Sequence, residues 1–169
     1  MTDTDATDSE HHADPVLRQS QHSWASSPAT RAAMQANRRR DTQPEIAVRR
    51  LLHARGLRYR VDTRPIPTVR HTADIVFTKA RLAVFIDGCW WHGCPQRHRP
   101  PRSNSGYWHS KIERNRERDR RVTAQLESAG WCVLRAWEHQ DSAEIAVQIE
   151  RLVRPNPNLP SIPYSKRDY

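Results

Sequence analysis

Two aspartates stand at the ends of neighbouring apolar segments. Asp74 opens the segment "DIVF", and thirteen residues later Asp87 closes the segment "LAVFID". If these segments pair as antiparallel strands, the start of the first and the end of the second lie at the same edge of a sheet. Both carboxylates could then face one pocket and offer the oxygen ligands that Mg²⁺ prefers, which predicts metal-assisted phosphodiester hydrolysis. The alternative is that both aspartates are ordinary turn residues.

Two further side chains are of the right type to join this site. His92 follows Asp87 by five residues, and an imidazole can take or give a proton near neutral pH. Glu45 lies on a predicted helix far away in the chain, so only the fold can bring it to the two aspartates. The predicted catalytic residues are Asp74, Asp87, His92 and Glu45.

Cysteine and histidine spacing indicates a second kind of metal site. Cys89 and Cys94 have four residues between them, and His98 follows four positions after Cys94. Structural zinc takes four sulfur or nitrogen ligands in a tetrahedron, so one more ligand is required. His139, just after the segment "WCVLRAWE", is the candidate, because a strand end can bring a distant ligand to a preformed cluster. Cys132 is interpreted as a small buried hydrophobic residue.

The tryptophans of the same segment indicate a contact with nucleobases. Trp90 and Trp91 are adjacent, and in a loop both rings could be presented outward. Trp131 and Trp137 fit an ordinary core position, which is the usual place for this residue. Two tryptophans inside a ligand-rich loop of a basic protein instead favour stacking on bases or wedging between them.

The charge of the chain favours a polyanionic partner. The 169 residues carry a formal net charge of +9, although residues 1–30 carry five acids and only one base. The remainder is therefore more basic than the average suggests, as expected of a nucleic-acid-binding protein. The alternatives are a merely basic surface and, for the charged helix, a solvated face of Glu–Arg pairs. The candidate phosphate contacts are Lys111, Arg114, Arg116, Arg118, Arg120 and Arg121.

Patterning predicts a mixed sheet flanked by helices, in the order α-β-β-α-β-α. The helices are predicted in "DTQPEIAVRRLLHARG", "YWHSKIERNRERDRRVTAQLESAG" and "SAEIAVQIERLVR", and the strands in "ADIVF", "LAVFID" and "WCVLRAW". We expect a disordered acidic leader at 1–28, one compact domain at 29–154 and a proline-rich tail at 155–169. No apolar run is long enough for a membrane span, and no secretory signal is visible. Three cysteines then suggest a reducing, cytoplasmic compartment.

Five blocks resemble the very short patch repair (Vsr) DNA mismatch endonucleases, in the family's order and at similar spacing. They are "MQANRRRDTQPE", "HTADIVF", "FIDGCWWHGCP", "YWHSKIERNRERDRR" and "GWCVLRAWE", between about residues 31 and 154. The resemblance implies a restriction-endonuclease-like α/β fold with a structural zinc site. It also implies Mg²⁺-dependent nicking of duplex DNA 5′ to the thymine of T:G mismatches, which arise by deamination of 5-methylcytosine, as the start of very short patch repair.

The resemblance also implies roles for single residues. Asp74 and the main-chain carbonyl of Ile86 would bind Mg²⁺, His92 would transfer a proton, and Glu45 would support the site. Some members have histidine at the position of Asp87, so that acid would be a second metal ligand or would hold water. Zinc would be bound by Cys89, Cys94, His98 and His139. Contacts to DNA would come from Trp90, Trp91 and Trp108 as an aromatic wedge, Met34 from the opposite side, and Lys111, Arg114 and Arg118.

Two alternatives belong to other classes. The first is a different endonuclease of the same fold, of restriction or homing type, which would cut both strands of a matched specific site. The second is a zinc-stabilised DNA-binding module without catalysis. The expected partners are duplex DNA with a T:G mismatch and repair proteins, and we expect a monomer associated with the nucleoid.

Overall fold

The computed structural model describes residues 40–99 and 104–154. These residues contain three helices and a four-stranded sheet. All of them belong to one compact unit. In chain order the elements are α1 (Gln43–Ala54), β1 (Arg60–Thr63), β2 (Ala73–Phe77), β3 (Leu82–Asp87), α2 (Ser105–Ser128), β4 (Cys132–Trp137) and α3 (Ser142–Val153). The predicted leader, the predicted tail and Met34 lie outside the described residues.

Helix α1 begins and ends where its sequence indicates. Thr42 is the N-cap, and Pro44 lies in the first turn, where its missing N–H removes no helical hydrogen bond. Gly56 follows the last turn with φ +70°, a conformation that favours glycine. The helix buries Val48 and Leu52 completely, so its position over the sheet is well determined.

The sheet has the strand order β1-β2-β3-β4, with β2 and β3 antiparallel as predicted. Strands β3 and β4 run parallel, with Leu82 opposite Cys132 and Asp87 opposite Trp137. A parallel pair needs a long crossover, and α2 provides it. The carboxyl ends of β3 and β4 therefore lie side by side, and the loops that follow them start at the same edge of the sheet.

Strand β1 is the element that patterning did not predict. It is only four residues long, and its side chains alternate between exposed and half-buried. It contains Asp62 with φ +48°, which is uncommon within a strand. Pairing with β2, which places Arg60 opposite Val76, brings this polar segment into the sheet as an edge strand.

Both faces of the sheet are covered, so the mixed α/β layers predicted from the sequence are confirmed. On one face, α1 and α3 pack over Ile75, Phe77, Val84 and Ile86. On the other face, α2 packs over Val76, Ala83, Phe85 and Val133. Because β3 lies between these layers, all six of its residues are buried, which explains its continuous apolar run.

The remaining core predictions are confirmed with one difference. Trp131 and Trp137 are buried, at 8% and 9% exposure. Cys132 is half-buried at the edge of the cluster under α1 and α3, rather than fully buried within it. Within the two described ranges, no helix combines the length and the apolar character that a membrane span requires.

Candidate functional site

Asp74 and the end of β3 lie at one edge of the sheet. The antiparallel register pairs Ile75 with Val84, so Asp74, one residue earlier, lies opposite Phe85 near the end of β3. There the backbone N–H of Ile86 donates a hydrogen bond of 2.6 Å to Oδ2 of Asp74. The sequence-based prediction that these strand ends meet is therefore confirmed, and the two residues expected to bind Mg²⁺ are in contact.

Glu45 reaches the same edge from α1. It is buried at 5% exposure, and it accepts hydrogen bonds from the Asp41 N–H at 2.9 Å and the Thr42 hydroxyl at 2.8 Å. Burial raises the pKa of Asp74 to about 7, and the charges of Glu45 and Asp87 add to this rise against the opposing hydrogen bond from Ile86. The positive charge of Arg135 opposes this rise in pKa without cancelling it, so Asp74 and the neighbouring carboxylates would stabilise a bound cation. This donor set therefore fits Mg²⁺.

The raised pKa of Asp74 predicts how the stability of the Mg²⁺-free protein depends on pH. In the unfolded chain this carboxyl ionises near pH 4, whereas in the folded protein it keeps its proton up to about pH 7. Its contribution to stability is therefore fully present below about pH 4 and is lost as pH rises through 7. Compared with Asp74→Asn, the wild type should lose about 1 to 2 kcal/mol of unfolding free energy between pH 5.5 and pH 8.

Urea unfolding of both proteins at the two pH values, without Mg²⁺, measures this difference. Asp62→Asn is the matched control, because it removes an exposed carboxylate from the same sheet and asparagine tolerates the positive φ. If the unfolding free energies of wild type and Asp74→Asn differ by the same amount at both pH values, the raised pKa does not belong to this residue.

Asp87 is held by an arginine of the neighbouring strand. Arg135 of β4 donates from Nε to Oδ2 at 2.9 Å and from Nη2 to Oδ1 at 2.8 Å. Asp87 is 4% exposed, and the arginine side chain is 6% exposed. A buried, bidentate ion pair of this kind fixes the carboxylate in one orientation. Asp87 follows Ile86, whose N–H binds Asp74, and its negative charge is compensated by Arg135.

His92 forms a pair with an aspartate of α2. Its Nδ1 lies 2.5 Å from Oδ2 of Asp119 and 3.8 Å from Oδ1 of Asp87. Burial raises the pKa of Asp119, but the hydrogen bond to His92 and the positive charges of Arg135 and Arg118 outweigh it, so this pKa lies below its usual value. Asp119 is therefore ionised near neutral pH. A carboxylate on Nδ1 orients the ring and leaves Nε2 as the nitrogen that can exchange a proton.

Sequence reasoning missed Asp119 and Arg135. Asp119 stands in the run "ERDRR", where a single acid resembles a solvated, paired charge. A signal was nevertheless present, since Asp119 is seven residues after Ile112 and three before Val122, which puts it on the inner face of the helix. The donor atoms of Asp87, His92 and Asp119 all lie within 4.8 Å of one another, so these three side chains form one compact cluster.

The predicted zinc ligands divide into two groups. Nδ1 of His139 lies 2.9 Å from Sγ of Cys89 and 3.7 Å from Sγ of Cys94, and all three donor atoms lie within 4.8 Å of one another. His98 lies outside this group. Its ring packs on Trp90 with centroids 5.4 Å apart, and in the described part of the chain its buried Nδ1 has no hydrogen-bond partner.

Two buried thiols and an imidazole that converge on one point fit zinc. Burial, assisted by Cys94 and Glu138, raises the pKa of the Cys89 thiol to about 12. Without a cation the Cys89 thiol is therefore protonated, and a bound zinc ion would displace this proton. His98 is the predicted fourth ligand, although this structure does not bring it into the cluster.

The aromatic residues form one group, here called the aromatic cluster, of Trp90, Trp91, Tyr107 and Trp108. The ring of Trp108 lies 5.8 Å from Trp90, 5.9 Å from Trp91 and 5.3 Å from Tyr107. Trp108 is only 4% exposed, so in this structure it supports the neighbouring rings rather than presenting its own. Tyr107, which sequence reasoning did not single out, is 40% exposed. Nζ of Lys111 lies 5.3 to 5.8 Å from three of the rings.

The arginines of α2 do not form a uniform basic face. Arg114 is exposed, as expected of a phosphate contact. Arg120 is paired with Glu113 and Glu117 at 3.2 and 2.9 Å, which is the arrangement expected of an ordinary solvated helix face. Arg118 is half-buried with Nη2 3.4 Å from Asp119. The charged run therefore contains side chains that pair with buried groups, such as Arg118, and others that are exposed, such as Arg114 and Arg120.

Known proteins resemble this chain over well more than half of its length. The family model "DNA mismatch endonuclease Vsr" matches residues 25–97. The type II nicking enzyme V.NaeI of Lentzea aerocolonigenes is 53% identical over 110 residues, covering 64% of this chain and 66% of its own length, just under two thirds. The type II nicking enzyme V.XorIIP of Xanthomonas oryzae is 40% identical over 129 residues, covering 75% of this chain and 93% of that protein.

Two further comparisons complete this result. The DNA mismatch endonuclease Vsr of Escherichia coli is 36% identical over 115 residues, covering 65% of this chain and 70% of that protein. Among solved structures, the catalytic domain of the homing endonuclease I-Bth0305I matches with a TM-score of 0.44 and 18% identity, over 66% of this chain and 94% of that domain. The sequence matches show that the chain belongs to the Vsr DNA mismatch endonuclease family.

Proposed function

We propose that this protein is a Mg²⁺-dependent endonuclease that nicks one strand of duplex DNA 5′ to the thymine of a T:G mismatch and so starts very short patch repair. Relatives named as nicking enzymes and as a mismatch endonuclease support an endonuclease that cuts a single strand. A DNA substrate agrees with the basic charge of the chain, and it would place the protein with the nucleoid in the cytoplasm.

One observation carries the proposal most directly. The loop after β3 presents Trp91 and His92 as consecutive residues, and His92 is bound to Asp119 while lying 3.8 Å from Asp87. Asp87 directly follows Ile86, whose N–H binds Asp74, so the histidine and the candidate Mg²⁺ ligand belong to one connected group. A residue suited to base stacking is thus directly joined to residues suited to phosphodiester hydrolysis.

The proposed mechanism assigns each side chain a separate task. Asp74 and the carbonyl of Ile86 would hold Mg²⁺, which supplies Lewis-acid polarisation of the phosphate and an activated water. His92 exchanges a proton through Nε2, and Asp119 holds its ring in place. Arg135 orients Asp87 and also reaches Asp119, with Nη2 3.2 Å from Oδ1. Glu45 maintains the negative potential that attracts the cation.

The aromatic cluster would select the mismatch. T:G is a wobble pair, so unstacking it costs less than unstacking a matched step. Trp90 and Trp91 would insert beside the mismatch, while the buried Trp108 supports them from below. Lys111 would bind phosphate close to the inserted rings, and Arg114 and Arg118 would add further backbone contacts. Met34, outside the described residues, would approach from the opposite side.

The proposal predicts nicking of the thymine strand only. Duplexes that carry a single T:G in several flanking sequences, labelled separately on each strand, would be incubated with the protein and Mg²⁺. We expect one product, from the T strand, in at least one sequence context, and no product from the matched T:A and C:G duplexes or in the presence of EDTA.

Other outcomes would favour the alternatives. Equal cutting of a matched duplex would reject mismatch specificity. Cleavage of both strands at a matched specific site would indicate an endonuclease of restriction or homing type. Binding without cleavage in any context, with an unchanged result for Asp74→Ala, would indicate a non-catalytic DNA-binding module.

A further inference from the structure

Three consecutive backbone carbonyls of the loop after β3 are bound by two consecutive side chains of α2. Nδ2 of Asn115 donates to the carbonyl of Trp91 at 2.8 Å. Arg116 donates from Nε to the carbonyl of His92 at 3.3 Å and from Nη2 to the carbonyl of Gly93 at 2.5 Å. We call this arrangement the carbonyl clamp.

The loop needs such an external partner. The segment 88–94 consists of turns rather than strand or helix, so no regular ladder supplies donors to its carbonyl groups. Inside the loop, His92 N–H donates to Gly88 O at 3.2 Å and Cys94 N–H donates to Cys89 O at 2.9 Å. Backbone carbonyl groups inside a protein require donors. The guanidinium of Arg116 satisfies the carbonyls of His92 and Gly93, and it also fixes where the loop backbone lies relative to α2.

Gly93 shows how closely the clamp fits. A Cβ at this position would lie 2.5 Å from Nη2 of Arg116 and 2.8 Å from Cγ2 of Ile112. The residue also has φ +63°, a conformation that side-chain-bearing residues rarely adopt. The backbone of the loop is therefore pressed directly against the guanidinium and the buried face of α2.

Helix α2 contacts both Trp91 and His92, each through two of its side chains. Lys111 places Nζ 5.4 Å from the ring centre of Trp91, and Asn115, four residues later, binds the carbonyl of the same tryptophan. Arg116 binds the carbonyl of His92, and Asp119, three residues later, binds its ring. Residues three and four apart share one face of a helix, so one rigid element determines the positions of both loop residues.

We propose that Arg116 is a positioning residue for the proposed nicking reaction: by clamping the carbonyls of His92 and Gly93 it holds His92 in register with Asp119 and with the base-stacking tryptophans. This inference rests on the proposed function. Arg116 acts through the loop backbone rather than on DNA, which distinguishes it from exposed arginines of the same helix such as Arg114.

Arg116→Met tests this role, because it removes the donors and retains an unbranched apolar stem. With saturating T:G duplex and Mg²⁺, the single-turnover nicking rate should fall about 10- to 100-fold, the effect expected from a small misplacement of a proton-transfer group. The affinity for the duplex, and its salt dependence without Mg²⁺, should change no more than in Arg151→Met, which removes one exposed charge on α3. Arg116→Lys keeps the charge but can reach one carbonyl, so it should restore only part of the rate.

Two outcomes of these rate and binding measurements would overturn the proposal. An unchanged saturated rate combined with weaker binding and a salt slope smaller by about 1 would make Arg116 a phosphate contact instead. Full activity of Arg116→Lys would show that only the charge matters. Thermal unfolding and zinc content show whether each variant is folded. If Arg116→Met does not fold, the nicking rate of Arg116→Lys is compared with that of the wild type instead.

A readout without DNA separates failure of this inference from failure of the proposed function. Amide hydrogen exchange at His92 and Cys94 should accelerate about tenfold or more in Arg116→Met and remain unchanged in Arg151→Met. If T:G duplexes are not nicked but exchange accelerates, the clamp is correct and the proposed function is wrong. If the wild type nicks T:G duplexes and Arg116→Met alters neither exchange nor rate, the clamp is wrong and the proposed function stands.

Discussion

Asp74→Asn is expected to reduce nicking of a T:G duplex by about 10³-fold or more, since metal coordination contributes several kcal/mol to such a reaction. Asparagine retains an oxygen that accepts the hydrogen bond from the Ile86 N–H, so the edge of the sheet should keep its geometry. What disappears is the negative charge that attracts the cation. Single-turnover rates over a range of Mg²⁺ concentrations, together with duplex affinity without Mg²⁺, measure the effect.

The control for Asp74→Asn is Asp62→Asn, which removes an exposed carboxylate from the edge strand β1. We expect this variant to nick at the wild-type rate and Asp74→Asn to bind the duplex at least as tightly as the wild type. An Asp74→Asn rate within about tenfold of the wild type would remove this residue as the metal ligand. The cluster of Asp87, His92 and Asp119 would then be the remaining candidate in the described part of the chain.

Cys89→Ser should remove the bound metal and destabilise the fold. Purified wild-type protein is expected to contain about one zinc per chain, and the variant close to none, because the cluster needs both thiolates. The unfolding free energy should fall by several kcal/mol, since zinc binding contributes directly to folding. The loop that carries Trp91 and His92 lies between Cys89 and Cys94, so nicking should fail together with stability. Elemental analysis and urea unfolding, with and without a chelator, measure these effects.

The chain provides a matched control in Cys132→Ser, a half-buried free cysteine of β4 that lies outside the cluster. It should keep its zinc and most of its stability. Equal effects of Cys132→Ser and Cys89→Ser, or a wild type without zinc after mild purification, would reject the site. His139→Ala should resemble Cys89→Ser. A zinc content equally low in His98→Ala would make His98 the fourth ligand.

The strands and helices that contain the candidate site were predictable because they are strongly patterned. The runs "ADIVF" and "LAVFID" are short and rich in β-branched residues, so they form β2 and β3. Their antiparallel pairing, and with it the approach of Asp74 to the end of β3, followed from a short polar connection. Strand β1 was not predictable in the same way. Its residues are polar and half-exposed, and only pairing with β2 makes them a strand.

The side chains that bind the site residues were harder to predict from the sequence. His92 was identified from its distance to Asp87 in the chain, but its bonded partner Asp119 lies 27 residues away and within a charged run. Arg135 is 48 residues from the aspartate that it holds. Arg116 resembled a phosphate contact among other arginines, whereas it faces the loop backbone. In each case the deciding factor is which helix face is buried and which loop packs against it.

The sequence by itself therefore determined the chemical types of the site, the order of most secondary structure, the pairing of β2 with β3 and, through five ordered motifs, the family. These properties depend on neighbours within a few residues or on spacing along the chain. Only the tertiary structure decided that Arg135 compensates Asp87, that Asp119 pairs with His92, that Trp108 is buried beneath the other rings and that His98 lies outside the cysteine cluster. These contacts join distant segments, and their existence depends on packing, because a charge or a ring acquires its role from the groups that replace water around it.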